Sequence, residues 1–347
     1  MKKSVVLIAL LMVAMAFIVA PVAAAGAATT TVTVTSCGDA PIIKCKWEQD
    51  DTEWLEDGDK THVKYGPEET NSWFEPACNE PTSVFVYAVA TDPDGLNDIA
   101  TVNYKVTGPC GKIWKGCLAP CGDFSDVQAA ENANLICWNS EYDIDDVAYE
   151  LNDCSTAGVF CKEIVIDYCD PAGEYTVEVW ALDIGGMQSV PLVNEFTMLR
   201  LACCQYDFSS INWGTIKLGG HQLVSGDKDM STPNRPTVQN LGNVDINIKV
   251  KEDALQNENG VSFAKNCNDQ WYYKYDAKIL GQGTEKYFYP GANYKLLDGY
   301  VERCNMDGLC FSLEVLQAMP AGAYTGTAYI ECVDAGLDPC PEQPCPA

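Results

Sequence analysis

Cysteine content is the feature that most constrains how this chain can fold. All eighteen cysteines of the 347 residues lie at or beyond Cys37. They follow an N-terminus in which Lys2 and Lys3 precede the uncharged apolar run Val5–Ala20, the pattern of a secretory signal peptide. An even number of cysteines in an exported chain is expected to pair as disulfides, and no C-x-x-C spacing of a zinc or iron–sulfur site occurs. We therefore predict that most or all of the cysteines are oxidised.

Residues 1–25 are interpreted as the signal peptide, because small residues up to Ala25 follow the apolar run. The alternative is an anchor that is not cleaved. No other segment approaches the ~20 apolar residues that a membrane span requires. The sequence thus predicts a secreted protein at the cell surface, without direct insertion into the membrane.

The chain is strongly acidic, with a net charge of −27. Without Lys2 and Lys3, 20 basic residues face 49 acidic ones, a net charge near −29. Such a charge disfavours nucleic acid and anionic membranes as partners. It also repels copies of the same chain unless salt or cations screen it, although it equally fits simple solubility in a salty medium.

Eight cysteines are the candidates for disulfide roles: Cys37, Cys45, Cys154, Cys161, Cys203, Cys204, Cys304 and Cys310. Adjacent cysteines seldom bond each other, because the resulting ring strains the peptide. We therefore expect Cys203 and Cys204 to reach in opposite directions and to join two modules.

Two further pairings are suggested by short spacing. Cys304 with Cys310, and Cys154 with Cys161, would each close a small loop. Each closure would stabilise the fold by roughly 2–4 kcal/mol. The remaining connectivity cannot be deduced from spacing.

Alternating and β-branched segments predict an all-β protein. Thr82–Ala90 and Ile99–Val106 flank the turn Asp92–Gly95, and Val159–Tyr168 precedes Glu174–Ala181 in the same way. Further along, apolar residues from Val244 to Val250 alternate with polar ones, which predicts a strand with one buried and one wet face.

Two similar segments predict two sandwiches. Tyr175 in Asp170–Val177 and Tyr324 in Met319–Ala328 both follow Pro-Ala-Gly, about 150 residues apart. A tyrosine near the start of a late strand, bonded back to the chain just upstream, is the tyrosine corner of Greek-key sandwiches. We predict two immunoglobulin-like β-sandwich domains with disulfide-rich loops, at residues 26–200 (with cysteine-rich insertions) and 203–335. A Pro- and Cys-rich tail, residues 336–347, follows.

A family resemblance supports this interpretation. Ile211–Gly220 together with Pro236–Lys251 has the pattern W-G-x-[IV]-x-x-G … N-x-G-N-x-x-[IV]-x-[IV]. It resembles immunoglobulin-like modules in secreted and surface proteins of archaea, methanogens especially. The segment V-A-T-D-P-D-G-L-x-D-I resembles that of other extracellular immunoglobulin-like domains. The resemblance covers about half of the mature chain and implies a fold and a location. Cysteine-rich members of this size resemble subunits of sheaths or surface layers.

One acidic turn is a candidate calcium site. Asp92, Asp94 and Asp98 surround Gly95 within seven residues, and Ca²⁺ prefers such hard oxygen ligands. The alternative is a plain turn in which the Asp side chains bond their own backbone. Asp143–Asp146 is a weaker acidic cluster. No other cofactor is expected.

No catalytic arrangement stands out. The two histidines, His62 and His221, lie in polar contexts, and no G-x-S-x-G, H-E-x-x-H or Gly-rich phosphate loop is present. A glycosidase needs only two carboxylates, and with 49 acidic residues any pair can be proposed, so that hypothesis is unspecific. We expect the protein not to be an enzyme.

The leading functional interpretation is an extracellular structural protein whose partner is itself, forming a sheath, layer or filament. Thr29–Thr35 is suited to adding a strand to a neighbour's open sheet edge, or it is the first strand of its own domain. The alternative is an adhesion or carbohydrate-binding module that uses Trp271, Tyr272, Tyr273 and Tyr275, although the spacing of these residues equally fits a strand that partly faces the core. A secreted hydrolase is the third interpretation.

Overall fold

A computed structural model describes residues 38–50, 61–63, 72–154, 156–337 and 340. With 46% of the described residues in strands and 8% in helices, the predicted all-β class is confirmed. The candidate arm Thr29–Thr35 and the cysteines Cys37 and Cys345 lie outside these ranges.

The first half of the structure, up to residue 200, contains ten strands and two α-helices among its described residues. The strands are β1 (Ile42–Gln49), β2 (Thr61–Val63), β3 (Ser72–Phe74), β4 (Thr82–Thr91), β5 (Ile99–Thr107), β6 (Ile113–Gly122), β7 (Cys137–Trp138), β8 (Ala157–Ile166), β9 (Gly173–Asp183) and β10 (Leu192–Met198). The helices are α1 (Phe124–Asn132) and α2 (Ile144–Tyr149), with a 3₁₀ turn at Leu96–Asp98 and a π-helical turn at Glu150–Cys154.

Strand β6 belongs to both layers of a sandwich. Its residues Ile113–Leu118 pair with β5, and after Leu118 it pairs with β8. One layer therefore contains β1, β4, β8 and the end of β6, and the other contains the start of β6, β5, β9 and β10. Side chains from both layers share one core. This arrangement, with a tyrosine corner at β9, is that of immunoglobulin-like sandwiches.

Alternation along β9 places its core residues. Every second side chain from Tyr175 to Asp183 is buried, because successive side chains of a strand point to opposite faces. The Tyr175 ring stacks on Phe196 at a centroid distance of 5.0 Å, and its hydroxyl donates to the Pro171 carbonyl at 2.8 Å. The Tyr324 hydroxyl donates to the Pro320 carbonyl at 2.6 Å, so both tyrosines have the corner geometry that their motif predicts.

The second half, from residue 201 onward, contains twelve strands in the part that the structure describes. They are β11 (Cys204–Tyr206), β12 (His221–Val224), β13 (Thr237–Asn240), β14 (Ile246–Glu252), β15 (Leu255–Asn257), β16 (Ser262–Phe263), β17 (Tyr273–Ile279), β18 (Lys286–Phe288), β19 (Lys295–Leu296), β20 (Met306–Val315), β21 (Tyr324–Thr325) and β22 (Ala328–Asp334).

A second core lies between the sheets of this half. Strands β11, β13, β20, β17 and β18 form one sheet, and β14 pairs with β19 and β22 in another. Ile246, Ile248 and Val250 of β14 share a core with Tyr273 of β17 and Phe311 of β20. Each half has its own core, yet the chain from Gly38 onward forms one compact unit. The division into two domains therefore stays a prediction.

Five disulfides join cysteines of the described residues: Cys78–Cys203, Cys110–Cys340, Cys121–Cys161, Cys169–Cys304 and Cys204–Cys332. Three of them join a residue of the first half to one beyond residue 200. Cys203 bonds backwards to the first half and Cys204 forwards to β22, so these neighbours reach in opposite directions. The disulfides thus connect the two halves covalently.

Ten of the sixteen described cysteines are bonded, so most of them are oxidised as predicted, but the expectation that all would be is wrong. Six are free: Cys45, Cys117, Cys137, Cys154, Cys267 and Cys310. Cys45 in β1 and Cys310 in β20 are buried in strand interiors, where a thiol packs as a small apolar side chain. Burial also raises the pKa of the Cys45 thiol, which disfavours the reactive thiolate.

Both short-loop pairings are wrong as well. Cys304 and Cys310 do not flank a small loop, because Met306–Val315 is one continuous strand that buries Cys310. Cys304 bonds to Cys169 instead. Cys161 lies in β8, which pairs with β6 beside Cys121, and it bonds to that residue rather than to Cys154.

We expect the hydrogen bonds of the two tyrosine corners to contribute different amounts to the free energy of unfolding. Tyr175 is fully buried, whereas Tyr324 is partly exposed. Tyr175→Phe should lower the free energy of unfolding by about 1–2 kcal/mol, because the buried Pro171 carbonyl loses its donor. Tyr324→Phe should cost less than about 0.5 kcal/mol, because water can replace its hydroxyl. Chemical denaturation of the two variants measures the difference, and equal losses would contradict this assignment.

Candidate metal centre

Three strand and turn ends bring carboxylates together at one end of the first sandwich. Asp92 directly follows β4, Asp98 ends the 3₁₀ turn, and Asp183 ends β9. Strand β5 begins with Ile99 opposite Asp183, which places the preceding Asp98 beside the end of β9. The Ile184 amide donates to the Asp98 carbonyl at 2.8 Å and fixes this approach.

The three carboxylates face one another closely. One oxygen of each of Asp92, Asp98 and Asp183 lies within 4.8 Å of the others. Asp92 is 0% exposed and Asp183 3% exposed, and the Oδ2 atoms of all three are buried without a hydrogen-bond partner among the described residues. Burying unpaired carboxylate oxygens is costly, so this arrangement requires compensation.

Backbone amides orient two of the three groups. The Asp94 amide donates to Oδ1 of Asp92 at 2.9 Å, and the Met187 amide donates to Oδ1 of Asp183 at 2.7 Å. Each carboxylate therefore uses one oxygen to fix its own loop and leaves Oδ2 without a protein donor among the described residues. Burial, followed by the nearby Asp98, Asp94 and Asp183 carboxylates, raises the pKa of Asp92.

The donor set fits a hard divalent cation. Ca²⁺ is bound by carboxylate oxygens in flexible geometry, together with backbone carbonyls and water. An ion among Asp92, Asp98 and Asp183 would offset their mutual repulsion and satisfy the three unpartnered oxygens. The bound ion would then hold the loops after β4 and β9 to each other.

The structure changes one predicted ligand. Asp94 is exposed and contributes its backbone amide to the turn, so its assignment to the cluster is wrong. Asp183, far along the chain, takes its place. A usable signal was present in the sequence, because Ala181-Leu182-Asp183 ends a strand before a Gly-Gly turn, much as Ala90-Thr91-Asp92 precedes Gly95.

The second acidic cluster has a structural role. The Asp143 side chain accepts hydrogen bonds from the Asp145 and Asp146 amides at 3.0 and 3.2 Å. The Asp146 side chain accepts one from the Asp143 amide in return, which completes a capping box at the start of α2. These carboxylates satisfy a helix N-terminus.

The histidines do not form a recognisable catalytic group among the described side chains. His62 lies in β2, and its side chain is outside the described part of the structure. His221 is exposed at the start of β12. Absence of enzymatic activity stays a prediction.

The aromatic residues proposed for sugar binding do not form one surface. Tyr273 and Tyr275 are 0% and 1% exposed and belong to the second core. Trp271 is half-buried and stacks on Tyr289 at 4.6 Å. The four residues therefore do not form a sugar-binding surface, and the alternative of a partly core-facing strand is confirmed for Tyr273 and Tyr275, which the alternation of β17 turns inward.

Comparisons with known proteins give weak structural likenesses. No family model and no curated protein matches the chain. The CsuC–CsuE chaperone–tip adhesion subunit complex of Acinetobacter baumannii pili is 9% identical with a TM-score of 0.27, covering 67% of this chain and 84% of that one. The CupB6 tip adhesin of Pseudomonas aeruginosa is 8% identical with a TM-score of 0.25, covering 86% and 96%.

A third likeness is to a streptococcal surface protein. The C-terminal domain of the AgI/II polypeptide BspA from Streptococcus agalactiae is 11% identical with a TM-score of 0.21, covering 84% of this chain and 95% of that one. All these TM-scores are below 0.5, so the likenesses carry no argument about function. Among the described residues, none of the helices has the length and apolar character needed to cross a membrane.

Proposed function

We propose that this protein is a calcium-stabilised structural subunit of an extracellular assembly. The observation that carries the proposal is the cluster of Asp92, Asp98 and Asp183, whose buried oxygens lack partners among the described residues. Modules outside the cell bind calcium with Kd values of roughly 10⁻⁴–10⁻³ M, which suits a site that serves rigidity rather than signalling. Five disulfides support an oxidising compartment.

Assembly requires a surface that accepts a neighbour, and β22 offers one. This strand has seven residues and pairs on one side with β14, with no second neighbour among the described strands. An open edge carries backbone amides and carbonyls that can pair with an added strand. Thr29–Thr35 also has seven residues, with alternating Thr and Val.

We assign this arm of one copy to the β22 edge of the next. The main opposing force is repulsion between chains of net charge near −29. Salt at about 0.1 M screens such repulsion beyond ~10 Å, whereas backbone pairing acts at contact. Bound calcium would also make the net charge of each subunit less negative. Strand exchange of this kind links identical subunits head to tail into filaments or layers.

Proline substitutions in the arm distinguish strand pairing from nonspecific association. The double variant Val32→Pro with Val34→Pro should raise the critical concentration for assembly at least tenfold. Proline removes the backbone N–H groups that would pair with the neighbouring strand, while the arm keeps its length. The matched variant Val32→Thr with Val34→Thr keeps strand propensity and should assemble almost normally. Light scattering and electron microscopy in salt with calcium measure both.

Two results would contradict the proposal. Normal assembly of the proline variant would exclude the arm as the linking strand. A wild-type protein that stays monomeric at high concentration in salt with calcium would exclude self-assembly altogether. A fall in monomer stability of the proline variant, measured by thermal denaturation, would place Thr29–Thr35 in its own sandwich instead.

A further inference from the structure

A closed polar triad lies inside the first core. Lys46 and Glu48 of β1 are 0% exposed, and Asn194 of β10 is 8% exposed. The Lys46 Nζ donates to Glu48 Oε1 at 2.7 Å and also to Asn194 Oδ1. The Asn194 Nδ2 donates to Glu48 Oε2 at 2.7 Å, so each side chain contacts the other two.

Apolar neighbours surround this triad. Lys46 lies opposite Ala88 and Glu48 opposite Val86 in the register of β1 with β4. Asn194 lies opposite Val177 in the register of β10 with β9. All three opposing residues belong to the first hydrophobic core. A buried ion pair is a weak source of stability, since apolar residues of similar size often serve equally well, so stability alone gives little reason for the triad.

We propose that Lys46 and Asn194 join in an intramolecular amide bond, with Glu48 as the proton carrier. The Lys46 Nζ gives a proton to Glu48 and, as a neutral amine, attacks the Asn194 Cγ. The new Nζ–Cγ bond forms as the Cγ–Nδ2 bond breaks. Glu48 delivers that proton to the leaving Nδ2, which departs as ammonia, and then accepts the second proton that Nζ loses as it becomes the amide N–H, so Glu48 ends protonated. The reaction consumes no oxidant, cofactor or energy source.

The contacts place each group for its step. The amine lies at hydrogen-bonding distance from the amide oxygen, and therefore next to its carbonyl carbon. One Glu48 oxygen contacts the attacking nitrogen and the other contacts the leaving nitrogen. Because the reacting groups are already held together in one orientation, the reaction is much faster than the same reaction between two separate molecules. The exclusion of water then protects the new bond from hydrolysis.

The bond would join the two layers of the sandwich. Strand β1 belongs to one layer and β10 to the other, and 148 positions separate Lys46 from Asn194 in sequence. A covalent link there would close nearly the whole first half into one ring. Unlike the five disulfides, it would withstand reducing agents.

Intact-mass spectrometry of the full chain, after reduction and with its N-terminus mapped, tests the proposal. The wild-type mass should fall short of the sequence mass by one ammonia, and digestion should give one peptide joining residues 46 and 194. Lys46→Met and Glu48→Gln should restore the full mass. Lys105→Met is the matched control, because Lys105 also contacts a glutamate, Glu178 at 2.9 Å, but is half-exposed and should retain the deficit.

Several outcomes would overturn it. A wild-type protein of full sequence mass excludes the bond, whether or not the variants fold. A deficit of one water, with a peptide joining residues 46 and 48, assigns the link to Glu48 instead. A folded Glu48→Gln variant, judged by circular dichroism, that still loses ammonia removes Glu48 from the reaction.

Discussion

Removing calcium is expected to lower the melting temperature of the protein by roughly 5–10 °C at neutral pH. The figure follows from an ion at about 100 times its Kd, which stabilises the folded state by about 2.7 kcal/mol, and from a shift of roughly 2–4 °C per kcal/mol. The physical reason is the repulsion among the Asp92, Asp98 and Asp183 carboxylates, of which Asp92 and Asp183 are buried. Differential scanning fluorimetry with calcium and with a chelator measures the shift.

Two variants identify the site responsible. Asp183→Asn should raise the melting temperature of the calcium-free protein, because it removes one of three repelling charges, and should abolish most of the calcium response. Asp94→Asn is the matched control, because Asp94 is exposed and outside the cluster, and it should respond like the wild type. The prediction fails if the chelator has no effect, or if Asp94→Asn alone removes the response.

The same site gives a pH signature. Burial raises the pKa of Asp92 in the folded protein, with the Asp98, Asp94 and Asp183 charges adding to it. The folded state then binds more protons than the unfolded state above about pH 3.9, the ordinary pKa of Asp. Stability of the calcium-free protein should therefore fall as the pH rises through the folded pKa. Calcium should remove that fall, because the ion takes the place of the proton.

Loss of the Cys78–Cys203 disulfide is expected to cost about 4 kcal/mol in the free energy of unfolding. The bond joins the first half to the residue just before β11 across 125 positions of sequence, and cross-links that close long loops restrict the unfolded chain most. Cys78→Ser with Cys203→Ser should therefore shift the urea midpoint strongly downward. Replacing both residues avoids leaving a free thiol.

A matched pair of free cysteines provides the control for that variant. Cys117 and Cys154 are exposed and unbonded, so Cys117→Ser with Cys154→Ser removes two thiols without breaking a link. We expect a change within about 0.5 kcal/mol for this control. An equal loss in both double variants would mean that the effect comes from the serine substitutions themselves.

The sequence predicted what depends on neighbours along the chain. The alternation in Glu174–Ala181 identified β9, and the Pro-Ala-Gly motif placed Tyr175 correctly at its corner. The sequence did not predict the contacts that depend on pairing between strands that lie far apart along the chain. Asp183 joins Asp92 only through the pairing of β9 with β5, and Cys161 meets Cys121 only through the pairing of β8 with β6.

The polar triad shows the same limit. Lys46 and Glu48 alternate with Cys45 and Trp47 along β1, a pattern typical of a strand with one solvent-facing side. The second layer of the sandwich covers that side with β10 and Asn194. A pattern of period two reports that two faces differ, but it does not report that both are buried.

The adjacent cysteines Cys203 and Cys204 also make correct disulfide formation depend on the order in which their partners become available. Synthesis proceeds from the N-terminus, so Cys78 is present when Cys203 and Cys204 appear, whereas Cys332 follows Cys204 by 128 positions. At about 5–20 residues per second, that delay lasts roughly 6–26 s. During this interval Cys78 meets two neighbouring thiols with almost equal loop lengths, and a bond to Cys204 would have to be corrected by thiol exchange. Faithful oxidation of this protein therefore depends on when β22 is delivered, and a host that oxidises nascent chains slowly should yield more correctly bonded product.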